Sequence, residues 1–261
     1  YIEQKKPDTT LISDLYYYIG VCNLLSNQYE DAILNLKNSL SLKEFLQSED
    51  ENYLKGIYNI GVSYNFLGDY FQVSDYMNKY IRLSSKLSGE ENPEVAEAYS
   101  ALIGAAIQSR DFDNFTDYTF RILGILSKNK DAITGDDLSR LYINIGVGYV
   151  MMADYSKARI YLEEAESLYE NLIPVSNTDY INLINSLAVT YGNMGLSDKE
   201  EEYFSKGIKL AASENSFLAF NMMNSYALAQ GNSGNVKRGG ELLATLVQRA
   251  RDIYGTDSRY Y

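Results

Sequence analysis

The chain has 261 residues, 46% of them hydrophobic and 22% charged, which is enough apolar content for a sizeable core. It contains no histidine, no tryptophan and one cysteine, Cys22. That excludes Ser-His-Asp and Cys-His catalysis, histidine-ligated metals, internal disulfides and four-cysteine zinc sites. With 23 basic and 35 acidic residues the net charge is −12, a surface that repels nucleic-acid phosphates and anionic lipid headgroups.

The three prolines, Pro7, Pro93 and Pro174, fall between periodic segments, as they must if those segments are helices. Asn92-Pro93 reads as a helix N-cap followed by proline at the first helical position. Sustained period-two alternation is absent, so the chain is all-helical. The longest apolar runs, such as residues 101–107, fall far short of the roughly 20 residues of a membrane span.

The same short phrase recurs along the chain. Tyr16-Tyr17-Tyr18-Ile19-Gly20, Ile57-Tyr58-Asn59-Ile60-Gly61 and Tyr142-Ile143-Asn144-Ile145-Gly146 are each followed, after a fixed interval, by an aromatic-led helix start at Tyr29, Tyr70 and Tyr155. Weaker copies centre on Ile103, Ala188 and Ala227. The markers at 20, 61, 103, 146, 188 and 227 are 41, 42, 43, 42 and 39 residues apart. The first helices of the six units are predicted at 11–26, 52–67, 93–109, 137–152, 178–194 and 216–232. In the fourth, Tyr142, Ile145, Gly146 and Tyr149 form one stripe; Ala158, Leu162 and Ala165 form a second on the following helix. Two such stripes bury each other and leave apolar edges that need neighbouring units, so the fold extends by stacking. Gly68, Gly195 and Gly234 fit a left-handed turn between the two helices of a pair, while Arg110 and Ala153 take that place in two units and imply strain or another turn.

These residues resemble the tetratricopeptide repeat. The fourth unit matches best, through Ile145, Gly146, Tyr149, Ala153-Asp154-Tyr155, Ala158, Leu162 and Ala165; the second matches through Ile60, Gly61, Tyr64, Gly68-Asp69-Tyr70, Val73 and Met77. The fifth puts Glu200 where a small residue is usual, the third has Ile103 and Phe115 at the small positions, and the sixth has Gln230 for the aromatic. The resemblance implies a right-handed superhelical solenoid of about six antiparallel helix pairs, a single array over 1–261. The period near 42 is similar to the kinesin-light-chain variety, and such repeats also precede CHAT protease domains in some bacterial proteins. Residues 253–258 read like the start of a further repeat, so the chain is expected to be part of a longer protein. The compartment is left open, with the cytoplasm favoured.

In that family the first helix of each pair, helix A, lines a concave groove, so positions at spacings 3, 4 and 4 on its outer face are groove candidates. Those of the first four repeats are Asp14, Tyr17, Val21 and Leu25; Lys55, Tyr58, Val62 and Phe66; Glu97, Ser100, Gly104 and Gln108; and Arg140, Ile143, Val147 and Met151. The last two carry Asn182, Asn185, Val189 and Asn193, then Asn221, Asn224, Leu228 and Asn232. Asparagine donates and accepts together, so a ladder of them suits an extended peptide backbone; the alternative is a solvated face. Tyr17, Tyr58 and Phe66 either form a pocket for an apolar anchor or pack in the core. Lys55 and Arg140 either meet a carboxylate of a ligand or form surface salt bridges, with Glu97 between them. Glu163-Glu164 and Glu200-Glu201-Glu202 read as solvated helix faces, Cys22 as a packing residue and Asp111 as a helix N-terminal acceptor. The reading is a non-catalytic interaction scaffold that needs no cofactor or metal and binds a protein or peptide, not nucleic acid or membrane. The alternative is a recruiting or regulatory part of a longer enzyme or signalling protein, with further domains of the same polypeptide as partners.

Overall fold

The computed structural model describes residues 8–89, 92–129, 131–133, 135–170, 178–214, 216–232 and 234–254. Among these the chain is twelve α-helices with no strand, and it divides into two compact units, Tyr1–Ile133 and Thr134–Tyr261. The first holds α1 (Thr9–Leu25), α2 (Tyr29–Phe45), α3 (Glu51–Leu67), α4 (Tyr70–Ser88), α5 (Ala96–Ser109) and α6 (Phe112–Lys128). The second holds α7 (Gly135–Met151), α8 (Tyr155–Glu170), α9 (Thr178–Asn193), α10 (Ser197–Glu214), α11 (Ser216–Asn232) and α12 (Val236–Tyr254). The six expected first helices are α1, α3, α5, α7, α9 and α11. Pro93–Val95 forms a single 3-10 turn ahead of α5, with the Asn92 side chain accepting from the Glu94 amide at 3.0 Å.

Each pair is closed by one kind of turn. Asn27, Gly68, Arg110, Ala153, Gly195 and Gly234 all have positive φ, between 56° and 88°. Every one lies seven residues after its marker. The next residue donates its amide across the turn to the carbonyl five positions back: Gln28 to Asn23, Asp69 to Tyr64, Asp111 to Ala106, Asp154 to Tyr149, Leu196 to Tyr191 and Asn235 to Gln230, all at 2.8–3.1 Å. This is the six-to-one bond of a Schellman motif. Arg110 and Ala153 therefore make the same turn as the glycines and carry its strain in the left-handed region.

The turn folds helix B back along helix A. Lys43 bonds Asp14, Leu36 faces Gly20, and Asn35 bonds Asn23, so residue numbers rise on one helix as they fall on the other. The marker glycines allow the close approach. A Cβ on Gly20 would lie 2.6 Å from Leu36, on Gly61 2.8 Å from Met77, and on Gly146 2.5 Å from Leu162. Three residues past the marker, a tyrosine on helix A meets a tyrosine on helix B: Tyr64 with Tyr76, Tyr149 with Tyr161 and Tyr191 with Tyr203, at centroid distances of 5.7, 5.7 and 5.1 Å. In the first pair the same two places hold Asn23 and Asn35, joined by a hydrogen bond of 3.2 Å. Successive pairs are tied through these tyrosines. Lys37 of α2 donates to the Tyr64 hydroxyl at 2.8 Å, and at the matching position Glu163 of α8 accepts from Tyr191 at 2.8 Å.

Two local expectations need correction. Glu200 is buried, not solvated, because it occupies the place where Ala32, Val73 and Ala158 pack against helix A. Space for it comes from Gly192, where a Cβ would lie 2.5 Å from the Glu200 carboxylate, and burial pushes its pKa up, with Glu201 adding to the effect. Glu163 and Glu164 do lie on an exposed face, where Glu163 also accepts from the Tyr191 hydroxyl. Cys22 is exposed, whereas Ser63, Ala105, Gly148 and Thr190 at the equivalent position are buried. Asp111 does cap α6, accepting from the Asn114 amide at 3.2 Å.

Replacing Arg110 by glycine is expected to raise stability by about 0.5–1 kcal/mol in denaturant titration, because glycine reaches the left-handed region without the Cβ penalty; a loss would show that the Arg110 side chain matters more than its backbone. Gly192→Ala is expected to cost about 1–3 kcal/mol through overpacking on Glu200. Adding Glu200→Ala should recover most of that loss, and simple additivity of the two changes would argue against the packing account.

Candidate functional site

Within each unit the A helices lie against one another, α1 on α3 and α3 on α5, α7 on α9 and α9 on α11. Among the described residues the backbones of the B helices do not approach one another as closely, and long side chains bridge them, Lys79 of α4 to Glu44 of α2 at 3.3 Å and Lys206 of α10 to Glu166 of α8 at 2.8 Å, so the A helices are the inner layer and their outward positions form one face per unit.

In the first unit the three candidate rings go to different partners. Tyr17 is buried in the core with Ile33, Leu36, Leu40, Tyr53, Ile57 and Ile60. Tyr58 is half-buried, its ring 5.4 Å from Tyr80 and its hydroxyl donating to Glu97 at 3.1 Å, which links α3 to α5. Phe66 is exposed but stacked flat on Tyr29 at 4.7 Å. Lys55 pairs with Glu51 one turn before it, so Glu97 serves Tyr58. Asp14 is held by a network that helix-A reasoning misses. Lys43 of α2, 1% exposed, donates to Asp14 at 2.8 Å and Asp50 at 2.6 Å, and the Asn52 amide donates to Asp14 at 3.0 Å. The clue lies in the register of α2, where Leu36, Leu40 and Lys43 share the buried face. The hydrogen bonds from Lys43 and Asn52 hold the Asp14 carboxyl below its ordinary pKa. Burial acts to lower the Lys43 pKa, and the two carboxylates outweigh it, so the net shift is upward.

In the second unit Arg140 of α7 reaches Asp137 on its own helix and Asp179 of α9, each at 3.0 Å, a clamp between neighbouring A helices. The asparagines of α9 and α11 then run in register. Asn182 and Asn221, Asn185 and Asn224, Asn193 and Asn232 are each 39 residues apart. All but Asn185 are exposed. Asn193 donates to the Val189 carbonyl of its own helix at 2.8 Å. Asn185 is the exception that matters: its side-chain oxygen is out of contact with solvent and accepts no hydrogen bond. An orphaned buried acceptor costs about 1–3 kcal/mol.

Residues 181–214, covering most of α9 and α10, match the family model of the tetratricopeptide repeat. Over 80% of its length the chain is similar to the putative kinesin light chain of Podosopora anserina, with its nearly identical TPR-like repeats, at 13% identity and a TM-score of 0.61, with 98% of that chain covered. The fold is a tetratricopeptide-like helical repeat. Other chains sharing this fold include a Rap protein complexed with Competence and Sporulation Factor (18% identity, TM-score 0.61, 95% and 69% of the two chains). Another is a signal transduction ATPase with numerous domains from Pyrococcus horikoshii, which carries a tetratricopeptide repeat sensor (14%, TM-score 0.70, 94% and 37%). No curated protein matches the chain in sequence. Among the described residues no helix is long and apolar enough to cross a membrane, and no group of three metal-ligating side chains converges.

Lys43→Met is expected to lower stability by about 2 kcal/mol near neutral pH, between the values of buried and exposed ion pairs, since both carboxylates keep partial solvent contact. Depressed carboxyl pKa values contribute stability above the unfolded-state value near 4, and lose it as pH falls through the lower folded-state value. The raised Lys43 pKa bounds the window on the alkaline side, where that stability is lost as pH rises through it. The gap between wild type and variant, followed by urea unfolding, should therefore narrow as pH drops below about 4; a constant gap would mean that Lys43 acts through packing alone.

Proposed function

We propose that the protein is a non-catalytic protein–protein interaction module whose α9–α11 face holds an extended peptide. The observation that carries this reading is the register of exposed asparagines on neighbouring A helices, Asn182 with Asn221 and Asn193 with Asn232, around the half-buried Asn185, whose unpartnered oxygen a change of side-chain rotamer would bring to the ligand. An extended peptide offers one amide and one carbonyl per residue, and asparagine side chains can meet both with little dependence on peptide sequence. α9 packs directly on α11, and the Arg140–Asp179 pair links α9 to α7, so the asparagines are carried on helices already held in register, which reduces the ordering cost of binding. The complex of the Rap protein with its factor supports the reading at the level of fold. A second reading, a sensing or recruiting role inside a longer protein, draws on the Pyrococcus ATPase, whose repeats are described as a sensor and of which this chain spans 37%.

Peptides selected from a random library without Asp or Glu are expected to bind the Asn185→Ala/Asn224→Ala protein at least about tenfold more weakly than wild type in calorimetry, each lost hydrogen-bond set contributing about 1 kcal/mol. The thermal midpoint should not fall, and loss of the orphaned Asn185 oxygen should raise it by a few degrees. Equal affinity for both proteins would remove the asparagine face from the binding site.

A further inference from the structure

The helix-B side of the first unit carries an open cavity of about 620 Å³ between α4 and α6, with Tyr99 of α5 among its lining residues. Its rim is cationic: Arg82 and Lys86 come from α4, Arg121 and Lys128 from α6. This stands against the chain's −12 charge. The sequence shows how it is made. After Asp75, α4 contains no acidic residue up to its end at Ser88, and after Asp117, α6 contains none up to Lys128. Lysines in the last turn of a helix are common because they meet the helix dipole, and that accounts for Lys86 and Lys128. It does not account for Arg82 and Arg121, which sit more than a turn further back. Arg121 keeps Asp117 at 2.7 Å on its own helix, so it contributes a partly neutralised charge. Beside these cations Ile81 and Ile125 supply apolar wall, and Phe120 lines the cavity while remaining 77% exposed.

A basic rim around an apolar floor with an exposed aromatic has the composition of a protein-interaction hot spot, where aromatic and arginine side chains dominate. We infer that the cavity between α4 and α6 is a docking site for an acidic peptide segment that carries an apolar side chain. The carboxylates would meet Arg82, Lys86, Arg121 and Lys128, and the apolar side chain would cover Phe120 and Ile125. Charge complementarity selects this partner: an anionic segment is repelled by most of this chain's surface and attracted here, so the same field that discourages adventitious contact directs it to one place. The site is independent of the asparagine face, which lies in the other unit and on the other layer of helices.

The test uses the whole chain and a fluorescein-labelled peptide of repeated Glu-Leu-Asp-Phe, with a second peptide in which Gln and Asn replace the acids. Fluorescence anisotropy should show binding of the acidic peptide that weakens as salt is raised, and at least about tenfold weaker binding of the amide peptide. Arg82→Glu with Lys86→Glu should also lower affinity at least about tenfold, and Phe120→Ala should lower it while leaving the salt dependence in place. All three are surface positions, so far-ultraviolet circular dichroism and the thermal midpoint should be unchanged. Asn185→Ala/Asn224→Ala should bind the acidic peptide like wild type. Equal binding of the two peptides, or wild-type affinity in the folded Arg82→Glu/Lys86→Glu protein, would overturn the assignment.

Discussion

The recurring constraint in this structure is the left-handed residue that closes each helix pair. Seven residues after its marker the backbone turns into positive φ, the next amide reaches back to the carbonyl five positions earlier, and helix B is returned along helix A. Because the interval is fixed, the marker on helix A always meets the same step of helix B. The glycine–leucine approach of the first and fourth pairs, the glycine–methionine approach of the second and the tyrosine pairs one turn later all follow from that register. The constraint is strong enough that Arg110 and Ala153 adopt the conformation without being glycine, the turn being over-determined by the packing on both sides.

The tyrosines explain much of the unusual composition. A ring on helix A and a ring on helix B fill the space that two marker residues leave, and the hydroxyl, which needs a partner when buried, is used to reach the previous pair. The partner's charge can reverse from Lys37 to Glu163 because a phenol both donates and accepts. Burial and the Glu163 carboxylate raise the Tyr191 pKa far above its ordinary value, so this link stays neutral throughout the physiological range.

The two candidate surfaces differ in how they arise. The asparagine face is a product of repetition, the same residue type at the same position of α9 and α11. The basic cavity is a product of composition, acid-free stretches of α4 and α6 that the stacking of pairs brings side by side. A-helix reasoning finds the first and passes over the second, because helix B is assigned the outer layer and its charges are discounted as solvated.

The period, the six helix pairs and the place of each turn were legible in the amino-acid sequence, because hydrophobic spacing and marker intervals are local properties of the chain. The exposed asparagines were legible for the same reason. What only the tertiary structure decided was which neighbours meet. Tyr17 goes to the core while Phe66 stacks outside on Tyr29; Glu97 serves Tyr58 and leaves Lys55 to Glu51; Lys43 reaches back to Asp14; and Glu200 is buried opposite Gly192. Each of these depends on residues brought together from different helices or from distant turns of one pair. Side-chain burial and pairing are set by the three-dimensional neighbours, which a one-dimensional period does not specify.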